Sequence, residues 1–243
     1  ILWINLVTDG LPAIAVGFEP AEAGVMKRKP RPITESIFAG GMDKHIAWVS
    51  VLLTTITLGA YIFGYASHGM DPFSPTLALE YRTADQLHET VGAEDVPENW
   101  DALSLAERTE IILAHENDEA SEEEVSGGLI GEAEQIPRTL AFTVLALGQI
   151  FHIMAIHGGD RDSFFRIWFR KNYILLGAVI STFLLQLAVV YLPFLQTTFE
   201  TEALALAEFL MAVALASTIL FAVEIEKFLR RQRDRQTVTV ANV

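Results

Sequence analysis

The chain has 243 residues and a formal net charge of −14 at pH 7, from 17 Lys and Arg against 31 Asp and Glu. The acidity belongs to one segment, because residues 71–137 hold 18 acidic and 2 basic side chains. Several long stretches carry no charge at all, which excludes a soluble globular protein, a disordered chain and a nucleic-acid binder. With no cysteine, the chain can form neither a disulfide nor a thiolate metal site.

Apolar stretches long enough to cross a bilayer recur along the chain, since a membrane-spanning helix needs about 20 apolar residues. Stretches without Asp, Glu, Lys or Arg cover 46–70, 139–159 and 172–199, and a fourth, 203–223, contains only Glu208. The first segment is apolar but broken at Asp9-Gly10-Leu11-Pro12. We therefore predict an all-α membrane protein with five transmembrane helices, the first of them broken, and a large acidic loop outside the cytosol.

The predicted segments follow in chain order. They are a broken helix at 1–18, a basic loop at 19–45, a helix at 46–70, an acidic loop at 71–137, a helix at 138–157, a basic loop at 158–172, helices at 173–194 and 203–223, and a basic tail at 224–243.

The distribution of basic residues sets the expected orientation. The two basic loops and the tail hold 14 of the 17 Lys and Arg residues, and in a five-helix chain all three lie on one side. By the positive-inside rule that side is the cytosol. We expect a multi-pass protein of the plasma membrane with a cytosolic tail. Ile1 resembles neither a natural start nor a signal peptide, so we expect the sequence to be cut from a longer protein.

The acidic loop carries one clear helix signal. Ser104-Leu105-Ala106-Glu107 has the spacing of a capping box and leads into an apolar group at 111–113. We expect at least one short helix over Arg108–His115, inside a small folded cap. The run Glu116–Glu124 has six acidic residues in nine and is predicted to be a solvated loop.

The most informative stretch lies in the first helix. An ionised Asp at the centre of a membrane helix costs about 2.5–3.5 kcal/mol, so Asp9 is a functional candidate. Asn5, Thr8 and Asp9 would project oxygen atoms from one helix face, and Gly10 with Pro12 predicts that the helix unwinds over Thr8–Leu11. Such oxygen atoms suit a hard cation. The alternative is a Pro-kinked helix whose Asp9 bonds to a neighbouring helix.

The same stretch resembles a known family. Ile1 to Ala13, followed by Gly17-Phe18-Glu19-Pro20 and the basic run Met26–Pro32, is similar to the sixth transmembrane helix and following loop of type II P-type ATPases, closest to prokaryotic calcium pumps. Further stretches, at 138–143, 149–152, 184–187 and 191–196, resemble helices eight and nine, and 224–227 resembles the end of helix ten. The resemblance implies that the five helices are helices six to ten of a ten-helix pump.

The resemblance also implies a ligand set. Asn5, Thr8 and Asp9 match the sixth-helix cation ligands, and Asn5 favours calcium because sodium/potassium pumps usually place an acid there. Two-calcium pumps add a Glu in the eighth helix, where this chain has Gly148 and Gln149. That departure implies one calcium per cycle, with Gln149 and His152 as possible outer-shell groups. The alternative for these two side chains is interhelical hydrogen bonding.

The chain lacks the parts of a pump that use ATP. It contains no phosphorylatable Asp in a DKTG loop, and none of the nucleotide domain, the actuator domain and helices one to five. We expect no ATP hydrolysis by this chain alone, so that ATP and Mg²⁺ act through the rest of the pump. The expected partners are that remainder and the lipid bilayer, with no nucleic acid. Two alternatives remain: a pump for sodium, manganese or protons, and a stand-alone membrane scaffold or channel.

Overall fold

The computed structural model describes most of the chain. The described residues are 10–18, 32, 34–36, 38, 41–91, 96–119, 128–157, 163–164 and 173–241, without the side chains of 117–119 and 234–241. Their regular elements are all helical, which confirms the all-α prediction. In chain order the helices are α1 Gly10–Gly17, α2 Met42–Ser67, α3 Ala84–Val91, α4 Leu105–Glu119, α5 Leu129–Ala133, α6 Gln135–Ile156, α7 Tyr173–Tyr191, α8 Pro193–Phe199 and α9 Leu206–Ala241.

Four helices are long and apolar enough to cross a membrane. They are α2, α6, α7 and the Leu206–Arg233 part of α9. Many of their large apolar side chains are exposed, among them Val51, Leu184 and Phe221, which is the pattern of helices that face lipid. Together they account for four of the five predicted transmembrane helices. Half of the fifth predicted helix, residues 1–9, lies outside the described residues.

The start of the chain departs in part from the predicted unwinding. Gly10 and Leu11 are helical. The prediction was therefore wrong for Gly10 and Leu11, while Thr8 and Asp9 lie outside the described residues.

The chain divides into two compact units. The first comprises Ile1–Thr57, Phe142–Val189 and Ala205–Val243, and the second comprises Leu58–Ala141 and Val190–Leu204. The first unit therefore contains α1, the start of α2, most of α6, nearly all of α7 and all of α9. The second unit contains the end of α2, the whole acidic segment and the connection from α7 to α9.

Two apolar clusters form the core of the first unit. One unites α1, α6, α7 and α9 through Ala15, Leu147, Ile150, Leu175, Val179 and Ala216. The other unites α2, α6, α9 and a short segment before α7 through Val49, Ala155, Phe164, Ile219, Leu220 and Val223. Helices α6 and α9 belong to both clusters, so these two helices link them.

The second unit contains a folded cap with its own core. That core gathers residues from α2, α3, α4 and α5, with Trp100 and Leu87 fully buried. The capping box predicted at the start of α4 is present: the Ser104 backbone N–H donates to Glu107 Oε2 over 2.8 Å, and the Glu107 N–H donates to Ser104 Oγ over 3.4 Å. The structure confirms the expected helix and folded cap.

Helix α4 extends beyond the predicted helix over Arg108–His115. It continues to Glu119, so the beginning of the acidic run Glu116–Glu124 is helical and the predicted loop was wrong there. Glutamate is a good helix former, and mutual repulsion of exposed carboxylates costs only a few tenths of a kcal/mol per pair, about as much as a favourable pair gains.

The connection between α7 and α9 is shaped by Pro193. Helix α7 ends at Tyr191, and Leu192 is extended with φ −93° and ψ 120°, because a residue before proline disfavours the helical region. Pro193 then opens α8, which ends at Phe199 and is followed by Glu200 in the left-handed conformation. The stretch between the predicted helices at 173–194 and 203–223 therefore contains a short helix.

Candidate functional site

The three predicted cation ligands precede the described part of the chain. Asn5, Thr8 and Asp9 all lie outside the described residues. Asp9 is followed directly by α1, so the packing of α1 is the nearest structural information about this site.

Helix α1 is anchored in the first unit by its buried face. Pro12 and Ala15, three residues apart, are its buried side chains, as expected for neighbours on one helix face. Ala15 is only 2% exposed and belongs to the apolar cluster that contains Leu147 and Ile150 of α6. Those two residues flank Gly148 and Gln149, the positions that the resemblance singles out on this helix. The structure therefore brings α1 and this part of α6 into one cluster.

Gly148 lies in a crowded place on α6. A Cβ atom at Gly148 would lie 2.8 Å from Leu53 Cδ1 and 2.9 Å from Ile219 Cδ1. Glycine here lets side chains of α2 and α9 approach the α6 backbone, a role that the sequence analysis missed.

Gln149 is half-buried and carries an unsatisfied acceptor. Its Oε1 atom is buried and has no hydrogen-bond partner in the described part of the protein. The same holds for Thr143 Oγ1, two turns earlier on α6. A buried polar group without a partner costs about 1–3 kcal/mol, so α6 retains neutral oxygen atoms at a free-energy cost. Such oxygens are ligand types for hard cations.

Gln186 on α7 has a similar environment. It is 1% exposed, and neither its amide oxygen nor its amide nitrogen has a partner among the described residues.

His152 takes part in a different arrangement from Gln149. Its Nε2 atom lies 3.3 Å from Nε2 of His45, at the start of α2. His45 Nδ1 in turn lies 2.6 Å from Glu226 Oε2, on α9. The Trp48 indole N–H donates to the same Glu226 oxygen over 3.1 Å, and Arg230 pairs with the other carboxylate oxygen. Interhelical hydrogen bonding, the alternative considered for His152, is confirmed.

Sequence analysis missed His45 and Glu226 as members of a cluster. The positive-inside rule already assigned the start of α2, the end of α6 and the end of the apolar part of α9 to one side, so polar residues near those three places were candidates for contact. The rotation of each helix about its axis decides which of them meet, and one sequence does not specify that rotation.

The described residues alone do not form a metal centre. Across the parts of the chain that the structure describes, no group of three or more His, Asp or Glu could hold a metal ion.

The sequence of nearly the whole chain matches one family model. The model describes the C-terminus of cation transporting ATPases and matches residues 1–229. The chain belongs to this family. It is the C-terminal membrane region of a calcium-pump-like P-type ATPase, as the resemblance implied.

Individual relatives support the same placement. The chain is 28% identical over 233 residues to an endoplasmic reticulum-type calcium-transporting ATPase of Arabidopsis thaliana, covering 95% of this chain and 20% of that protein. It is 29% identical over 217 residues to a calcium-transporting ATPase of Bacillus subtilis, covering 89% of this chain and 17% of that protein. A calcium-transporting ATPase of Listeria monocytogenes is 52% identical over 63 residues, which is 26% of this chain and 7% of that protein. The chain thus spans about a fifth of the length of the first two relatives.

Proposed function

We propose that this chain is the C-terminal membrane half of an ATP-driven calcium efflux pump. In the intact pump Asn5, Thr8 and Asp9 bind the cation within the membrane, and phosphorylation elsewhere in the pump moves the helices so that the cation is released outward. The observation that supports this most directly is the clustering of Ala15 of α1 with Leu147 and Ile150 of α6. It anchors the helix that follows Asp9 beside the segment that carries Gln149.

The names of the relatives support calcium as the cation. Those compared above are calcium-transporting ATPases. Carboxylate, amide and hydroxyl oxygens of Asp9, Asn5 and Thr8 are the ligands that a hard divalent cation prefers. ATP and Mg²⁺ act through domains outside this chain, so the chain by itself does not hydrolyse ATP. The partners are the rest of the pump and the surrounding lipid of the plasma membrane, with the basic tail in the cytosol.

The stoichiometry follows from α6. Gln149 supplies a neutral amide where two-calcium pumps carry a glutamate, so the site offers no second carboxylate from this helix. We propose one calcium ion per transport cycle, with Gln149 and His152 outside the direct ligand set.

The test is transport by the intact protein that contains this chain, reconstituted into vesicles. We expect ATP-dependent calcium accumulation, with sodium and manganese failing to compete at equal concentration and a ratio of one calcium per ATP. Accumulation of another cation in preference to calcium would show that this cation, and not calcium, is the transported ion. An intact protein of about 27 kDa without ATP-dependent transport would instead support a scaffold or passive channel.

A further inference from the structure

Three helices of the first unit meet at a pair of histidines. His45 lies at the start of α2, His152 lies one turn before the end of α6, and Glu226 lies on α9. The two Nε2 atoms are 3.3 Å apart, and the other ring nitrogen of His45 is 2.6 Å from the Glu226 carboxylate. The side chains of His45 and Glu226 are 19% and 21% exposed, so water reaches this chain of contacts only in part.

The Glu226 carboxylate decides which ring nitrogens of the two histidines donate a hydrogen bond and which accept one. An ionised carboxylate only accepts, so His45 Nδ1 carries a hydrogen and donates it to Glu226. When His45 is neutral, its Nε2 is therefore a bare acceptor, and His152 must donate its own Nε2–H. In the neutral pair, one hydrogen therefore lies between the Nε2 atoms of the two rings.

The geometry favours a proton and disfavours a shared metal ion. The ring centroids are 5.5 Å apart and the ring planes are inclined by 22°. With the Nε2 atoms 3.3 Å apart, these atoms lie close to the line that joins the two rings. They point at each other, as in a hydrogen bond, whereas two metal-bound imidazoles would converge on a third point. The described residues also provide no third ligand for an ion here.

We propose that His45 and His152 form a binding site for a single proton that links α2, α6 and α9. The first added proton converts the neutral bond between the rings into a charge-assisted hydrogen bond, which is the stronger kind. A second added proton would place one N–H against another and one positive charge beside another. The pair therefore takes up one proton and excludes a second, so the two rings titrate as a coupled unit.

The surrounding charges are consistent with uptake of one proton. Glu226 faces His45 directly and is paired with Arg230, so it provides negative charge that is already partly balanced. The buried Lys227 ammonium donates to the Ala155 carbonyl over 2.7 Å, which adds positive charge near the end of α6. On α2 itself, Asp43 and Lys44 are both exposed and of opposite sign. A second proton on the pair would have no further carboxylate in this group to balance it.

Proton uptake also changes the tautomer of His152. If the added proton resides on His45, then His45 Nε2–H becomes the donor and His152 Nε2 must become the acceptor. The hydrogen of neutral His152 then moves to Nδ1. Both nitrogens of His152 therefore respond to the first proton even when the charge resides on His45.

The test is nitrogen NMR of the intact protein labelled with ¹⁵N-histidine, titrated between about pH 8 and pH 5, the range in which imidazole usually changes charge. His45 and His152 signals are assigned from the variants His45→Gln and His152→Gln. We expect the wild-type pair to take up one proton in total, with both nitrogens of His152 shifting in the same step as His45. Uptake of two protons, or a His152 that does not respond to protonation of His45, would overturn the proposal.

Two variants sharpen this measurement. His152→Gln keeps an amide opposite His45 Nε2, so His45 should still take up one proton and the count at this site should stay at one. His88→Gln removes an exposed histidine of the cap and serves as the control, because it should leave the His45 and His152 signals unchanged. A loss of one proton in His152→Gln would show two independent sites. The number of protons taken up by the pair is measured without calcium transport. A protein that fails to pump calcium can therefore still confirm or contradict this proposal.

Discussion

Gly64 of α2 lies directly against Pro137 of α6. A Cβ atom on Gly64 would lie 2.7 Å from the Pro137 Cα and 3.0 Å from its Cβ. A backbone atom cannot move aside as the end of a flexible side chain can, so only glycine fits at this position. On the same helix, no described atom outside the helix's own nearby backbone lies within 4 Å of a Cβ placed on Gly59. The sequence alone does not distinguish these two glycines.

This contrast predicts opposite effects of the same substitution. Gly64→Ala should destabilise the protein by about 1–3 kcal/mol, the usual cost of overpacking. Gly59→Ala should be neutral or stabilise by up to about 1 kcal/mol, because alanine is the better helix former. Thermal unfolding in detergent measures both. Equal melting temperatures for the two variants would contradict the close contact.

Arg108 ties together the cap of the second unit. Its Nε–H donates to the Trp100 carbonyl over 3.0 Å, and its Nη1 donates to the carbonyls of Glu80 and Arg82 over 3.1 Å each. The guanidinium also lies 5.4 Å from the centroid of the Trp100 ring. A lysine ammonium lacks the planar fork that makes these contacts together.

We therefore expect Arg108→Lys to loosen the cap. The loss should be about 1.5–3 kcal/mol for each charge-assisted hydrogen bond that is not replaced. Limited proteolysis within residues 71–137 measures it, with faster cleavage expected. Arg138→Lys is the matched control, since Arg138 forms exposed ion pairs with Glu134 and Glu200 that contribute about 0–1 kcal/mol. Equal cleavage rates in the two variants would refute the role of Arg108.

The capping box at the start of α4 makes that helix end sensitive to acid. Hydrogen bonds from the Ser104 hydroxyl and backbone N–H lower the pKa of Glu107 below its usual value. A lowered pKa in the folded state means that the ionised form stabilises the fold. This contribution is therefore present above the unfolded-state pKa and is lost as the pH falls through the lower folded-state pKa.

Carboxyl ¹³C NMR of Glu107 tests this directly. The titration midpoint should lie below the ordinary glutamate value and rise in Ser104→Ala, which removes the hydroxyl donor. Glu107→Gln should remove the acid sensitivity of the amides in the first turn of α4. A midpoint that Ser104→Ala leaves unchanged would show that the serine is not the cause.

The fold was largely predictable because charge is costly in lipid. Segments without charged residues had to be membrane helices, and this placed α2 within four residues at either end. The limits of hydropathy appear in α9, which continues as a helix to Ala241 instead of ending at the basic tail. No Gly or Pro occurs between Leu206 and Ala241, so nothing in the local sequence ends the helix when it leaves the apolar stretch.

The polar contacts within the bundle were less predictable. Gln186 is 1% exposed, and its amide has no partner among the described residues. His157, which directly follows α6, is 3% exposed although it lies near a helix end. The sequence alone does not place such side chains, because the rotation of each helix decides their surroundings and depends on neighbours that are distant in sequence.

We propose that Asp9 is the carboxylate that binds the transported calcium. The most direct measurement is calcium-dependent phosphoenzyme formation from ATP by the intact pump, comparing wild type, Asp9→Asn and the control Asp43→Asn, which alters an exposed carboxylate at the start of α2. We expect Asp9→Asn to abolish the calcium-dependent phosphoenzyme, because the amide removes the charge that the cation needs, and Asp43→Asn to behave as wild type. Calcium dependence retained at wild-type affinity in Asp9→Asn would contradict it.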